Sequence, residues 1–433
     1  MWSLSYHFKQ SISILPQNYE DFPRSEAMKA VGVIVEYNPF HNGHAFHLEQ
    51  SKEISKSDVV IAVMSGNFLQ RGEPALVSKW VRTKMALTAG VDIVFELPYK
   101  FATQKAETFA NGAISILGAA CCDAICFGSE AGNLDPFLNT LDFLEKHHEE
   151  FQKNIKLLIN KGVSYPRAAS EAFQAMAINE NMIDLSKPNN ILGFHYIKAI
   201  HEQKQSLKAL TVPRKNANYH DEHFSTETIA SATSIRKALF SDHDDLYSIE
   251  RLVPKTTFDF LMEYKKEIGV FHQWESYWPL LKYRLMSLSS YELRNIYEME
   301  EGIENRILAA GLKSSSYSEF MNQLKTKRYT WTRLQRMCTH ILTNTKKEEM
   351  KMKEEKATYL RLLGMTEKGR EYLHKRKDDL QLPLISKLSS YQNSDIQLDI
   401  KAARIFSLGA PDQLRQKLIE KEFSQPPIFI TSN

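Results

Sequence analysis

The hydrophobic pattern of this chain changes texture once, near residue 250. Before that point, short unbroken apolar runs alternate with amphipathic stretches. Val31-Gly-Val-Ile-Val35 is followed by Phe46, Leu48 and Ile54 on a polar background. Val59-Val-Ile-Ala-Val-Met64 is followed by helical spacing over 79–89, closed at Gly90. Ile93-Val-Phe-Glu-Leu97, stopped by Pro98, leads to helical spacing over 109–117, and Ala124-Ile-Cys-Phe127 runs into Gly128-Ser129-Glu130. A helix opened by Asn189 or Asn190 and running through Tyr196 and Ile200, then a last short strand over 209–213, completes the alternation. Short continuous apolar runs suit strands buried on both faces, and their alternation with helices predicts an α/β fold built on a doubly wound parallel sheet. Ligands of such sheets bind beyond the carboxyl ends of the strands, so the functional loops are predicted at 37–44, 65–72, after Glu96 and at 128–130.

Beyond about 250 glycines become scarce and helical periodicity takes over, at 252–264, 278–286, 291–297 and 317–342. The expected organisation is a catalytic domain over 28–250 and a helical, basic region over 251–433. Residues 1–27 fit neither part. They hold Trp2, Tyr6 and Phe8 but no long apolar core, so they read as a disordered N-terminal extension, neither signal peptide nor membrane anchor.

Composition adds little to this picture. The 433 residues are 43% hydrophobic and 25% charged, with a net charge of +3, which by itself neither requires nor excludes a nucleic-acid partner. The four cysteines lack paired metal-ligand spacing and read as reduced, in a cytoplasmic protein with no metal site. Charge distribution is more telling. Residues 303–376 hold 17 Lys/Arg against 8 Asp/Glu, densest at Lys325-Thr-Lys-Arg-Tyr-Thr-Trp-Thr-Arg-Leu-Gln-Arg336. Lys327, Arg328, Arg333 and Arg336, interleaved with Tyr329 and Trp331, suit an RNA backbone with unpaired bases. A solvated basic helix whose aromatics face the core fits the same residues, and this stretch alone leaves both readings open.

The chemistry concentrates in Asn38-Pro-Phe-His-Asn-Gly-His44. A buried strand, a tight loop and a helix N-terminus in that order form an anion site, because the first N–H groups of a helix lack internal partners and its dipole favours negative charge. Gly43 lets a ligand approach the backbone, while His41 and His44 supply two ring donors; a nucleoside triphosphate is the candidate ligand. Ser231-Ala-Thr-Ser-Ile-Arg236 repeats the logic, with hydroxyls at a helix start and an arginine in its first turns.

The first of these motifs resembles the signature of the HIGH-motif nucleotidyltransferase superfamily, near its nicotinate-mononucleotide adenylyltransferase version, and the second resembles that superfamily's second phosphate-gripping motif. The chain from Met28 onward resembles the bacterial tRNA(Met) cytidine acetate ligase family. The matching pieces run in order: 32–44, Ser65-Gly-Asn-Phe-Leu-Gln-Arg-Gly72, Phe127-Gly-Ser-Glu130, Gly162-Val-Ser-Tyr-Pro166, Asn189-Asn-Ile-Leu-Gly193, Glu301-Gly-Ile-Glu-Asn-Arg306 and 327–336. The resemblance implies a Rossmann-like catalytic domain that uses ATP as co-substrate, with Mg²⁺ through its phosphates. It joins acetate to elongator tRNA(Met) as N4-acetylcytidine at the wobble position, by way of acetyl-AMP.

Carried over, the ATP contacts are Ile34, Val35, Glu36, Tyr37, Asn38, Pro39, Phe40, His41, Asn42, Gly43, His44, Ala45, Phe46, His47, Gly128, Asn189 and Arg214. His41, His44 and Arg236 take the catalytic role. One departure is the stretch after Arg214, Lys-Asn-Ala-Asn-Tyr-His220, where relatives tend to carry a glycine near Asn216. Two rival functions remain on the residues alone: a small-molecule adenylyltransferase, and a non-catalytic RNA-binding protein that senses nucleotide.

Overall fold

The computed structural model describes residues 28–176, 181–214, 230–241, 246–300 and 302–431. The extension over 1–27 and the departure after Arg214 lie outside the described residues. Five parallel strands form the centre of one sheet: β1 Ala30–Val35, β2 Val59–Ser65, β3 Ile93–Leu97, β4 Ala124–Ser129 and β5 Lys208–Pro213. Their spatial order is β5-β4-β1-β2-β3, so the chain reverses direction across the sheet between β1 and β4. That reversal leaves a crevice at the strand ends, the usual ligand position of doubly wound folds.

The unbroken apolar runs are explained by two cores, one on each face. On β2, Val59, Ile61 and Val63 enter one cluster with Phe95, Phe109 and Leu117, while Val60, Ala62 and Met64 enter the other with Val33, Leu48 and Trp80. Gly32 is a packing requirement on β1: a Cβ there would meet Leu117 Cδ2 at 2.5 Å, inside the helix Ala106–Ala119.

The helical region after 250 is present, and it also returns to the sheet. β6 Leu360–Thr366 pairs antiparallel with β3, and β7 Leu384–Ile385 and β8 Ile428–Ile430 both pair with β6. The strand over 208–213 is therefore not the last of the sheet. The stretch over 317–342 is two helices, Tyr317–Leu324 and Trp331–Leu342, because Thr330 breaks it and caps the second, its Oγ1 accepting from Arg333 N at 3.2 Å. A third core joins the helices Trp274–Ser287, Ile303–Lys313 and Trp331–Leu342 to Phe68, Leu69, Ala75 and Tyr99 from the first domain.

Four buried charges lock the returning chain in place. Lys79 Nζ donates to both oxygens of Glu96 at 2.8 Å and to Glu422 Oε1 at 2.7 Å. Arg361 contacts the same two carboxylates, Glu96 at 3.1 Å and Glu422 at 2.7 Å. Two cations and two anions from β3, β6, the helix Lys79–Thr88 and the helix Asp412–Ser424 thus neutralise one another away from water. Removing one partner of such a network strands the others, at a cost of about 3–5 kcal/mol. Glu422→Ala is expected to destabilise the chain by about that amount in urea unfolding, and a loss under about 1 kcal/mol would mean the network contributes little.

Candidate nucleotide-binding site

The loop after β1 is shaped by its own histidines. Asn38–Pro39 is a cis peptide, Tyr37 sits at φ 49°, and His41 ends the turn in extended conformation as the cap of the helix Asn42–Ser55. His41 Nδ1 accepts from Gly43 N at 3.1 Å, and His44 Nδ1 accepts from His41 N at 3.3 Å. This reciprocal box supplies two of the partners that a helix start lacks. It also fixes the rings. A neutral imidazole carries one proton, and a nitrogen that accepts a backbone N–H cannot hold it. Both protons therefore sit on Nε2, and each ring offers an N–H donor.

The rings stack with centroids 3.7 Å apart, so charging both is disfavoured. Burial, with Arg214 and Arg236 nearby, lowers the pKa of His41 to about 4. Burial followed by its neighbours His41, His47 and Arg214 lowers that of His44 as well. His47 is held at about 4 by burial and Arg214, and its Nε2 is buried with no hydrogen-bond partner.

These rings line a cavity of about 660 Å³ at the strand ends. Its far wall comes from β4 and β5. Arg214 Nη1 donates to Asn189 Oδ1 at 2.7 Å, Asn189 Nδ2 to Glu130 Oε1 at 2.6 Å, and Asn190 N to Glu130 Oε2 at 2.8 Å. Gly128 keeps that wall open, since a Cβ there would lie 3.3 Å from Arg214 Cγ and 3.8 Å from His47 Cδ2. Arg236 closes the cavity from the helix Ala232–Leu239, donating to Asn38 O at 2.9 Å and to Glu73 Oε2 at 2.7 Å. The cavity thus collects neutral N–H donors, two guanidinium groups and a helix start, an arrangement suited to a polyphosphate.

Most of the residues read from the sequence converge here. Ile34, Val35, Glu36, Tyr37, Asn38, His41, Gly43, His44, Phe46, His47, Gly128, Asn189, Arg214 and Arg236 all line the cavity. Pro39, Phe40, Asn42 and Ala45 do not line it but build the turn: Phe40 is fully buried, and Asn42 Nδ2 donates to Arg251 O at 2.9 Å. Gln70, Arg71 and Glu73 line it too, on the loop expected at 65–72 and just past it, although no individual residue there was singled out. The turn after Glu96 does not reach the cavity; Tyr99 packs into the helical core instead.

The basic stretch divides. Lys327 and Arg328 are exposed, and Arg333 reaches Glu300 at 2.6 Å while lying over the Tyr329 ring at 5.3 Å. Arg336 is buried, paired with Glu298 at 2.7 Å. Of the two aromatics, Tyr329 is buried and Trp331 exposed.

The fold and cavity define a nucleotidyltransferase of the HIGH class, and the HIGH Nucleotidyl Transferase family model matches residues 28–422. A Bacillus licheniformis protein named tRNA(Met) cytidine acetate ligase is 51% identical over 405 residues, 93% of this chain and 97% of that one. The Bacillus subtilis protein of the same name is 50% identical over 405 residues, with the same coverage of 93% and 97%. The crystal structure of Thermotoga maritima TmcAL bound with alpha-thio ATP superposes with a TM-score of 0.85 at 33% identity, covering 94% of this chain and 100% of that one. The chain belongs to the tRNA(Met) cytidine acetate ligase family.

The depressed histidines carry a pH signature. Between the ordinary value of 6.5 and about 4, the unfolded chain binds protons that folded His41 and His47 refuse. Stability is therefore complete with respect to these groups above about pH 7 and is lost as pH falls through that window. Each contributes a slope of at most about 1.4 kcal/mol per pH unit. Urea unfolding of His47→Gln from pH 7 to 5 is expected to show a slope shallower by up to that amount; an unchanged slope would place the His47 pKa in its ordinary range.

Proposed function

We propose that this chain is an ATP-dependent ligase that acetylates the N4 amine of a wobble cytidine in elongator tRNA(Met), through an acetyl-AMP intermediate, in the cytoplasm. The observation that carries this reading is the neutral, Nε2-protonated pair His41 and His44 facing Arg214 and Arg236 across one cavity. Acetate is a poor acyl donor until its oxygen is esterified. Its carboxylate attacks the α-phosphorus of ATP, a new P–O bond forms, and the bond to the β-phosphate breaks to release pyrophosphate. Catalysis of that step is positioning and charge stabilisation, which neutral donors and fixed guanidinium groups supply in a water-poor site. Neutral rings suit it better than cations, because a donor locked by backbone hydrogen bonds needs no reorganisation when charge develops.

Mg²⁺ is proposed to ride on the ATP phosphates rather than in a protein cage. Among the described residues no group of three or more metal-ligating side chains is present, and Glu73 and Glu130 are engaged by Arg236, Asn189 and Asn190. It would supply charge neutralisation at the phosphates. Among the described residues no helix is long and apolar enough to cross a membrane, and the cysteines are free thiols, which supports the cytoplasmic reading.

The tRNA is proposed to meet the helical half at the exposed Lys327 and Arg328, with Arg333 beside them and Arg336 anchoring the segment to Glu298. Likeness to the named ligases through both halves of the chain favours this reading over a small-molecule adenylyltransferase or a non-catalytic nucleotide sensor.

Incubation with ATP, labelled acetate and bacterial tRNA, followed by nucleoside analysis, is expected to place the label in N4-acetylcytidine, and label absent from cytidine would refute the proposal. In the same assay His44→Ala should lower the yield by about 10²-fold or more. Charge reversal at Lys327 and Arg328 should weaken tRNA binding and reduce its salt slope by about two, with ATP binding unchanged; unaltered tRNA affinity would show that these two residues do not contact the RNA.

A further inference from the structure

Transfer of the acetyl group needs a proton acceptor, and the paired histidines cannot serve, while the third ring, His47, has its Nε2 fully buried. Nδ1 of His41 and of His44 already accepts a backbone N–H, and Nε2 of each holds the ring proton. Resting on the ligase reading above, we propose that Glu36 is the general base that takes the proton from the cytidine amine as it attacks the acetyl carbonyl, because its carboxylate lines the cavity on the side joined to the helical half.

Glu36 follows directly on β1, at the division between two walls. The wall bearing Gly128, Glu130, Asn189 and Arg214 belongs to β4, β5 and the helix Pro188–Glu202, on one side of β1. The wall bearing Gln70, Arg71 and Glu73 belongs to the loop after β2, on the other side. Glu36 Oε1 accepts from Gln70 N at 2.7 Å, so the carboxylate is held against the second wall. That wall is docked on the helical half. Gly72 O accepts from Trp274 Nε1 at 3.0 Å and from Thr339 Oγ1 at 2.8 Å, and a Cβ at Gly72 would collide with the Arg336 backbone. In the proposed reaction a base delivered from the helical side would meet this wall first.

The other cavity carboxylates are engaged, Glu73 by Arg236 and Glu130 by Asn189 and Asn190. Among the described residues, Glu36 Oε2 accepts no hydrogen bond. Burial raises the Glu36 pKa, with the Gln70 N–H, Arg71 and Arg236 pulling it down and Glu73 pushing it up. A carboxylate raised toward neutral pH accepts a proton from an attacking amine better than an ordinary one. The step balances. The N4 lone pair forms the C–N bond, the acyl C–O bond to AMP breaks, the N4 proton passes to Glu36, and AMP leaves as the phosphate anion before Glu36 returns the proton to water.

Glu36→Gln separates this role from a structural one, since the amide oxygen still accepts from Gln70 N. Acetate-dependent exchange of labelled pyrophosphate into ATP reads the first step, and single-turnover transfer from acetyl-AMP to tRNA reads the second. Because Glu36 also lines the nucleotide cavity, the two steps are read as a ratio. The variant is expected to lose about 10²-fold or more in transfer beyond whatever it loses in exchange, with Glu36→Asp restoring part of that difference. Transfer within about threefold of native, or a parallel fall in both steps, would overturn the assignment. Absence of exchange in the native chain would instead overturn the ligase reading itself, and the Glu36 role with it.

Discussion

The site depends first on one buried guanidinium. Where β1 and β2 end, the carbonyls of Glu36, Ser65 and Gly66 turn away from their sheet neighbours, and buried carbonyls without donors are costly. Arg82, fully buried in the helix Lys79–Thr88, satisfies all three: Nη1 donates to Glu36 O at 2.8 Å and Ser65 O at 2.9 Å, Nη2 donates to Gly66 O, and Nε reaches Val77 O at 3.3 Å. Burial lowers its pKa to about 10, yet Glu36 and Glu96 keep the cation favoured. By pinning the two strand ends, Arg82 fixes where the histidine loop and the 65–75 loop part company, and both loops line the cavity.

The two loops then act in different directions. The histidine loop is held largely by local bonds, since its capping box is made within four residues, while burial with Arg214 and Arg236 nearby keeps its rings neutral. The 65–75 loop is supported from outside: Phe68, Leu69 and Ala75 belong to the helical core, and Trp274 and Thr339 hold Gly72. Under the proposed function, nucleotide chemistry resides at the sheet ends, beside a loop that the helical half supports. The charge quartet of Lys79, Glu96, Arg361 and Glu422 reinforces this coupling by bringing β6 and the helix Asp412–Ser424 onto β3.

Legibility in the sequence followed the same division. Strands β1 to β4 were readable because burial on both faces demands unbroken apolar runs, and the histidine motif was readable because its capping box is local. β6 was not, because Arg361 interrupts Leu360-Arg-Leu-Leu-Gly-Met-Thr366 and is neutralised only by residues 265 and 61 positions away. Lys79, Arg82 and Glu422 likewise carry no local signal of their burial, although each is buried. The basic stretch was half legible. Its charge surplus is real, but periodicity could not tell that Tyr329 and Arg336 turn inward while Lys327 and Arg328 turn out.

The account stands on acid activation in the histidine cavity, and the fate of one oxygen atom tests it most directly. Attack of acetate on the α-phosphorus carries a carboxylate oxygen into the AMP that later leaves. With acetate labelled by oxygen-18 in its carboxylate, each acetylation is predicted to yield AMP bearing one labelled oxygen in its phosphate. Unlabelled AMP, together with phosphorus attached to the tRNA, would contradict the account and move the activation from acetate to the cytidine.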